Sequence, residues 1–191
     1  MTRTPSRGQM IAGAAELLGR RGLRAASIRQ LAKSSGAPLG STYHYFPDGK
    51  SQLATEAVQF AGDLTARVLA AELRQGPIAG LRAFVAVWRR IVTDSDFRAG
   101  CPVLAVSVEE PDEGDDAPVR AAAAVFEQWR DLLARSLVEH GADPEIAART
   151  GTLIVAALEG TVAICRAQRD TRALDHTAAA LEDVVTAALP H

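Results

Sequence analysis

Residues 26–50, ASIRQLAKSSGAPLGSTYHYFPDGK, constrain the fold more than any other stretch of this 191-residue chain. Ser27 is placed to cap a helix, and Ile28, Leu31 and Ala32 follow at the i, i+3, i+4 spacing that makes one face apolar. Ser34, Ser35 and Gly36 end that helix, since glycine takes a positive φ without steric cost. Pro38 then suits the first position of a new helix, where its missing N–H needs no partner. The new helix reads LGSTYHYF. The step from Ala32 to Gly36 allows two helices to pack nearly perpendicular across a tight turn, as in a helix-turn-helix. In such a unit the second helix has the size and position to enter a DNA major groove.

The side chains of that helix suit the same use. Gly40, Ser41 and Thr42 allow the backbone close to base edges, and Leu39 stands with them as a DNA-facing position. Tyr43, His44 and Ser27 carry groups that donate to phosphates, and Lys50 adds a charge one turn beyond. The alternative is a surface helical hairpin with Tyr43 and Phe46 in its core.

Charge separates along the chain in the same sense. The first fifty residues hold eight Lys and Arg against two acids, and the remainder thirteen against twenty-one, although the net charge is only −2. A basic head on an acidic body fits phosphate binding by the head. Cys101 and Cys165 stand alone without metal-ligand spacing, which suggests neither a disulfide framework nor a zinc site. The four histidines at 44, 140, 176 and 191 show no metal spacing either, and GxSxG, HExxH and glycine-rich phosphate loops are absent, so an enzyme is not expected and no cofactor is implied. MTRTPSRGQMI lacks an apolar signal core and no run reads as long enough to span a bilayer, so a soluble, cytoplasmic protein with no membrane partner is expected.

Heavy alanine use without sustained β-branched alternation makes an all-α chain the expectation. Ser6 can cap a helix from about Arg7 to Arg21, stopped by Gly22, with Met10, Ile11, Ala14, Leu17 and Leu18 on one face. Arg20, Arg21 and Arg24 near that stop are either solvated or close to phosphate, and Arg3 and Arg7 at the start of the helix are either a basic arm that reaches DNA or a terminus with no role. A long helix from Ser51 to about Arg74 carries Leu53, Ala57, Phe60 or Ala61, Leu64 and Val68 on one stripe. After Gln75-Gly76-Pro77, a helix with Ile78, Leu81, Phe84, Val85, Trp88 and Ile91 is apolar over more than half its girth and therefore buried on several sides. CPVLAVSV at 101–108 is too short for periodicity to separate strand from helix. EEPDEGDD at 109–116 has cation-site density but not the spacing of a Ca²⁺ loop, and reads as a solvated loop. Helices follow from Pro118 to about His140, from Pro144 to Arg169 behind the Asp143 cap, and from about Asp175 to Leu189. The last two both carry surplus apolar surface, which suggests a homodimer built as a four-helix bundle.

Ser27-Ile28, Leu31-Ala32, Gly36, Gly40, Tyr43-His44-Tyr45-Phe46, Lys50 and Leu53 together resemble the DNA-binding signature of the TetR family of bacterial transcriptional regulators. Gly36-Ala37-Pro38, Tyr45-Phe46-Pro47-Asp48-Gly49-Lys50 and Phe97-Arg98-Ala99-Gly100-Cys101-Pro102 are similar to its LmrA/YxaF-like branch. Pro38, Leu39 and Thr42 depart from the commonest pattern, so base preference does not carry over. The resemblance implies about nine helices: a helix-turn-helix DNA-binding domain at 1–50 and a ligand-binding and dimerisation domain at 51–191, with 103–108 helical. It implies a repressor on a palindromic double-stranded operator, released by a lipophilic small-molecule effector. The effector cavity would be lined by some of Phe84, Trp88, Ile91, Cys101, Val103, Trp129, Glu159 and Val162. The rival is a constitutive DNA-binding regulator controlled by a protein partner.

Overall fold

A computed structural model describes residues 6–110 and 114–190, without the side chains of Leu31, Ser34 and Ser35. The described residues form nine helices and no strand. They are α1 (Arg7–Arg21), α2 (Ile28–Ser35), α3 (Leu39–Tyr45), α4 (Gly49–Leu73), α5 (Pro77–Asp94), α6 (Pro102–Ser107), α7 (Ala117–Glu139), α8 (Pro144–Gln168) and α9 (Arg172–Ala188). The all-α expectation holds, including the helix at 102–107.

Local chemistry sets most of the ends. Ser6 and Ser27 each close a capping box. Their hydroxyls accept from the Gln9 and Gln30 N–H groups, and those glutamine side chains accept from the capping backbone. A cap of this kind contributes about 1 kcal/mol. Gly36 ends α2 in the left-handed region at φ 66. Asp143 Oδ1 accepts from the N–H groups of Glu145 and Ile146 at 2.9 and 3.1 Å, ahead of Pro144 at the first position of α8. Some boundaries shift. Pro38 is the N-cap of α3, extended at ψ 138, rather than its first helical residue. α4 starts at Gly49, so Lys50 sits in its first turn, and α9 starts at Arg172.

The chain divides into two compact units, Met1–Asp63 with Cys101–Val125 and Leu64–Gly100 with Phe126–His191. In the first, α1 packs on α2 and α6, and α2 on α3. Its core holds Met10, Leu18, Ala32, Phe46, Leu53, Val58, Val103 and Val106, and burying Phe46 completely is worth roughly 1.5–3 kcal/mol. In the second, α8 packs on α9 and α5 packs on both. Leu69, Leu81, Phe84, Trp88, Trp129, Leu137, Ile154, Leu158 and Leu174 are its largest buried side chains.

The apolar surfaces of α4 and α8 are used differently from what their patterns suggest. On α4, Leu53 and Ala57 are buried as expected, but Phe60 and Leu64 are 37% and 50% exposed, and the inward stripe runs instead through Ala54, Val58, Thr65, Leu69 and Leu73. The helix has apolar residues on more than one face, and the pattern alone cannot rank the faces. On α8, the small residues differ in use: a Cβ at Gly151 would lie 2.9 Å from the Arg130 carbonyl oxygen, so α7 approaches closely there, whereas Gly160 has open space. α8 is also long and apolar enough to cross a membrane, against the expectation that no run would be. Half of its most apolar window is buried within the protein, as in a core helix.

Candidate nucleic-acid interface and buried aromatic cluster

The head is a short-helix scaffold that presents one exposed polar helix. α2 offers an amphipathic face whose Ile28 and Ala32 are buried, so α3 is held by apolar contact rather than by its own length. α3 spans only seven residues, too few for an isolated helix to persist. Phe46, fully buried, anchors its C-terminal end.

The side chains expected at DNA separate into two groups. Leu39, Gly40, Tyr43 and His44 are exposed, Tyr43 to 54%, and Ser41 is half-buried. His44 leans on Tyr45, with ring centroids 5.6 Å apart. Ser27 is exposed and spends its oxygen on the Gln30 N–H, which leaves its hydroxyl hydrogen to donate outward. Thr42 departs from the expectation. It is 1% exposed and its Oγ1 donates to the Pro38 carbonyl at 3.3 Å, so it packs inward and does not face a groove. A seven-residue helix must turn one face to the scaffold, and the methyl of Thr42 is what α3 has there. Lys50 is half-buried and lines a cleft of about 250 Å³ with Leu23, Asp48, Ser51, Asp115, Pro118 and Val119.

Several charges expected to be solvated are engaged. Arg7 is the first residue of α1, as the Ser6 cap implies, and its guanidinium meets Glu56 at 2.6 Å rather than reaching out as an arm. Arg3 lies outside the described residues. Arg20 pairs with Glu16 and Arg24 with Glu110. The acidic run is not simply a solvated loop. Glu109 accepts the Leu23 and Arg24 backbone N–H groups, each at 2.6 Å, and Asp115 accepts the Ser51 hydroxyl at 2.6 Å. Asp112 and Glu113 lie outside the described residues. Neither Glu56 nor Glu109 carries a signal in sequence, because each partner is far along the chain.

The residues expected around an effector are interior. Phe84, Trp88, Cys101, Val103, Trp129, Glu159 and Val162 are all at most 4% exposed, and Ile91 is half-buried. In the second unit, Phe84, Trp88 and Trp129 form a three-ring cluster with centroids 5.5–6.0 Å apart, and Phe126 adds an edge contact to Trp129 at 5.9 Å. The tilted and edge-on geometries are those that aromatic quadrupoles favour. Trp88 Nε1 is buried without a hydrogen-bond partner among the described residues. Cys101 and Val103 belong to the first unit, where Cys101 Sγ accepts from the Leu104 N–H at the start of α6.

Two family descriptions match the chain, one after the other. Residues 10–57 match the family described as bacterial regulatory proteins, tetR family, and residues 77–180 match the C-terminal domain of LmrA/YxaF-like transcriptional regulators. The chain is 41% identical to the HTH-type transcriptional regulator Rv0196 of Mycobacterium tuberculosis, over 96% of each chain. It is 30% identical to the HTH-type transcriptional regulator YxaF of Bacillus subtilis, over 88% of this chain and 89% of that one. Its fold superimposes on a TetR transcriptional regulator from Legionella pneumophila with a TM-score of 0.83 at 18% identity, covering 96% of this chain and 98% of the other.

Proposed function

The chain belongs to the TetR family of bacterial transcriptional regulators, in the branch with an LmrA/YxaF-like C-terminal domain, and on that premise we propose that it is a homodimeric repressor released from a palindromic operator by a lipophilic small molecule. It is a DNA-binding regulator and not an enzyme. Residues 1–50 are the DNA-binding domain and residues 51–191 the ligand-binding and dimerisation domain. Leu39, Gly40 and Ser41 bring α3 against the base edges of the groove, and Tyr43, His44, Ser27 and Lys50 meet phosphate. The protein works in the cytoplasm, where its operator is.

The observation that carries the effector reading is the indole N–H of Trp88. A buried donor without an acceptor costs about 1–3 kcal/mol, which a ligand acceptor beside it would recover. It lies among the rings of Phe84 and Trp129, in the unit that also buries the Glu159 carboxylate at 4% exposure. Apolar walls with aromatic faces and few polar groups suit a lipophilic molecule, and a cationic centre on it would be favoured by the ring faces. The homodimer is supported by an exposed stripe on α8. Ile146, Leu153 and Ile164 are 40–47% exposed, with Ala156 and Gly160 exposed between them on the same face, and a second copy can cover them by two-fold symmetry.

Release requires that the effector bind the DNA-incompetent arrangement of the two heads more tightly than the competent one. The test uses lipophilic cations and neutral aromatics, with tryptophan fluorescence reporting binding and fluorescence anisotropy reporting release of DNA. Trp88→Ala should blunt release while ligand-free DNA affinity stays within about three-fold, since no DNA contact is altered. If no compound shifts DNA binding, or if Trp88→Ala leaves the response intact, the constitutive regulator under a protein partner becomes the better account.

A further inference from the structure

Arg7 is one of eight basic residues in the head, and charge alone would make it a phosphate ligand. Its surroundings assign it elsewhere. Its Nη2 donates to Glu56 Oε1 at 2.6 Å, and its guanidinium carbon stands 5.0 Å from the centroid of the Phe46 ring. Phe46 is the fully buried residue that closes α3. The same Glu56 oxygen accepts from Gln52 Nε2 at 3.0 Å, and Gln52 Oε1 in turn accepts from the Asp48 backbone N–H at 3.2 Å. A continuous polar relay therefore runs from the first residue of α1, across one turn of α4, to the turn that separates α3 from α4. That turn is tight: Gly49 donates its N–H to the Phe46 carbonyl at 3.0 Å and adopts φ 71.

We propose that Arg7, Glu56 and Gln52 form a positioning relay that fixes the angle between α3 and α4, and so sets together the base-reading face of α3 and the phosphate-facing Lys50. The inference rests on the reading of α3 as the DNA-contacting helix. Arg7 acts through Phe46 and the turn, not through a phosphate. Glu56 holds Arg7 over the ring and Gln52 against the turn with one oxygen, so it is the hub. The relay is 43% exposed at Arg7 and 22% at Glu56, which makes it a weak contributor to folding and leaves its effect to geometry.

The positioning role and plain electrostatics predict opposite signs at Glu56. Removing an acid from a DNA-binding head raises affinity for any duplex if charge alone matters. If Glu56 positions α3, Glu56→Ala lowers affinity for the specific duplex and spares random duplex. The probe is a duplex that the full-length protein selects from a random-sequence library, with an unselected duplex as control, both titrated over a potassium chloride series. Glu56→Ala should weaken the selected duplex by about ten-fold, the scale of one lost base contact. Binding of the control should stay level or rise.

Arg7→Ala should do the same with an unchanged log–log salt slope, and Arg7→Lys, which keeps a cation beside Glu56 and over the ring, should recover part of the loss. Because both positions are partly exposed, equal helical content and thermal midpoints are expected across the set. Affinity of Glu56→Ala for the selected duplex that is equal to or above wild type overturns the relay. So does a fall of about one contact in the salt slope of Arg7→Ala, which would make Arg7 a phosphate ligand. A wild-type protein that selects no duplex at all overturns the base-reading assignment of α3, and the relay with it; a wild type that selects one leaves the relay to be decided by the variants.

Discussion

The carboxylate of Glu109 is seated against Gly22 so closely that a Cβ at position 22 would overlap its Oε1. The same carboxylate receives the N–H groups of Leu23 and Arg24, so the turn leaving α1 is bound to the end of α6 by two charge-assisted hydrogen bonds of 2.6 Å. Gly22 has φ 76 and ψ 174, a region open essentially to glycine alone. Gly22→Ala therefore meets two penalties, backbone strain of about 1–3 kcal/mol and the clash with Glu109. Thermal unfolding should show a midpoint drop of several degrees, at roughly 2–4 °C per kcal/mol for a chain of this size. Adding Glu109→Ala should relieve the clash but not the strain, so the double variant should be more stable than the sum of the singles. Strict additivity would mean the carboxylate does not crowd position 22.

Lys50 occupies the first turn of α4 at the edge of the cleft it shares with Asp48 and Asp115. A lysine there supplies a phosphate contact without base information. Lys50→Ala should weaken selected and random duplex alike and lower the log–log salt slope by about 0.9, one phosphate's worth. A change confined to sequence preference would move Lys50 from the phosphate backbone to the bases.

Tyr43 and His44 stand exposed on α3 while Phe46 holds the helix from behind. Tyr43→Phe with His44→Ala should abolish binding to the selected duplex and leave the circular dichroism spectrum and the dimer mass unchanged. Loss of helical signal in that variant would place these side chains in the core.

Acid stability should depend on the bridge between α5 and α9. Arg82 donates to Glu182 through Nε at 2.8 Å and Nη2 at 2.7 Å, and that hydrogen bond, aided by the opposite charge and opposed by partial burial, holds the Glu182 carboxyl below its ordinary value of 4.5. A carboxylate depressed in the folded state contributes stability that is complete above the unfolded value and disappears as pH falls through the folded one. Asp96 beside Arg169 and Asp170 beside Arg172 are depressed in the same direction. Urea midpoints should thus be flat near neutrality and fall as the pH drops through the ordinary carboxylate values and below them. Arg82→Ala should make that fall shallower by lowering the neutral plateau slightly while the two proteins converge in acid, the difference being small because Arg82 is 66% exposed. An unchanged acid limb would remove Glu182 from the account.

Most of the helix ends are set by local sequence, the starts of α3, α4 and α9 being the exceptions. Ser6 and Ser27 with glutamine three residues on, Gly22 and Gly36 past the last turn, and Pro77, Pro102 and Pro144 at helix starts act within a few bonds of themselves, so the chain needs no partner to express them. The helix-turn-helix and its exposed Tyr43 and His44 were legible for the same reason. Tertiary structure alone decided which side chains those helices spend on each other. α4 carries apolar residues on several faces, and only its neighbours determine that Leu69 turns in and Leu64 turns out. Thr42 looks like a groove residue until the scaffold takes that face of α3. Glu56 and Glu109 are ordinary surface acids in one dimension. They acquire partners at 7, 23 and 24 only when folding brings together segments separated by about fifty or more positions, and no local pattern records a contact made at that range.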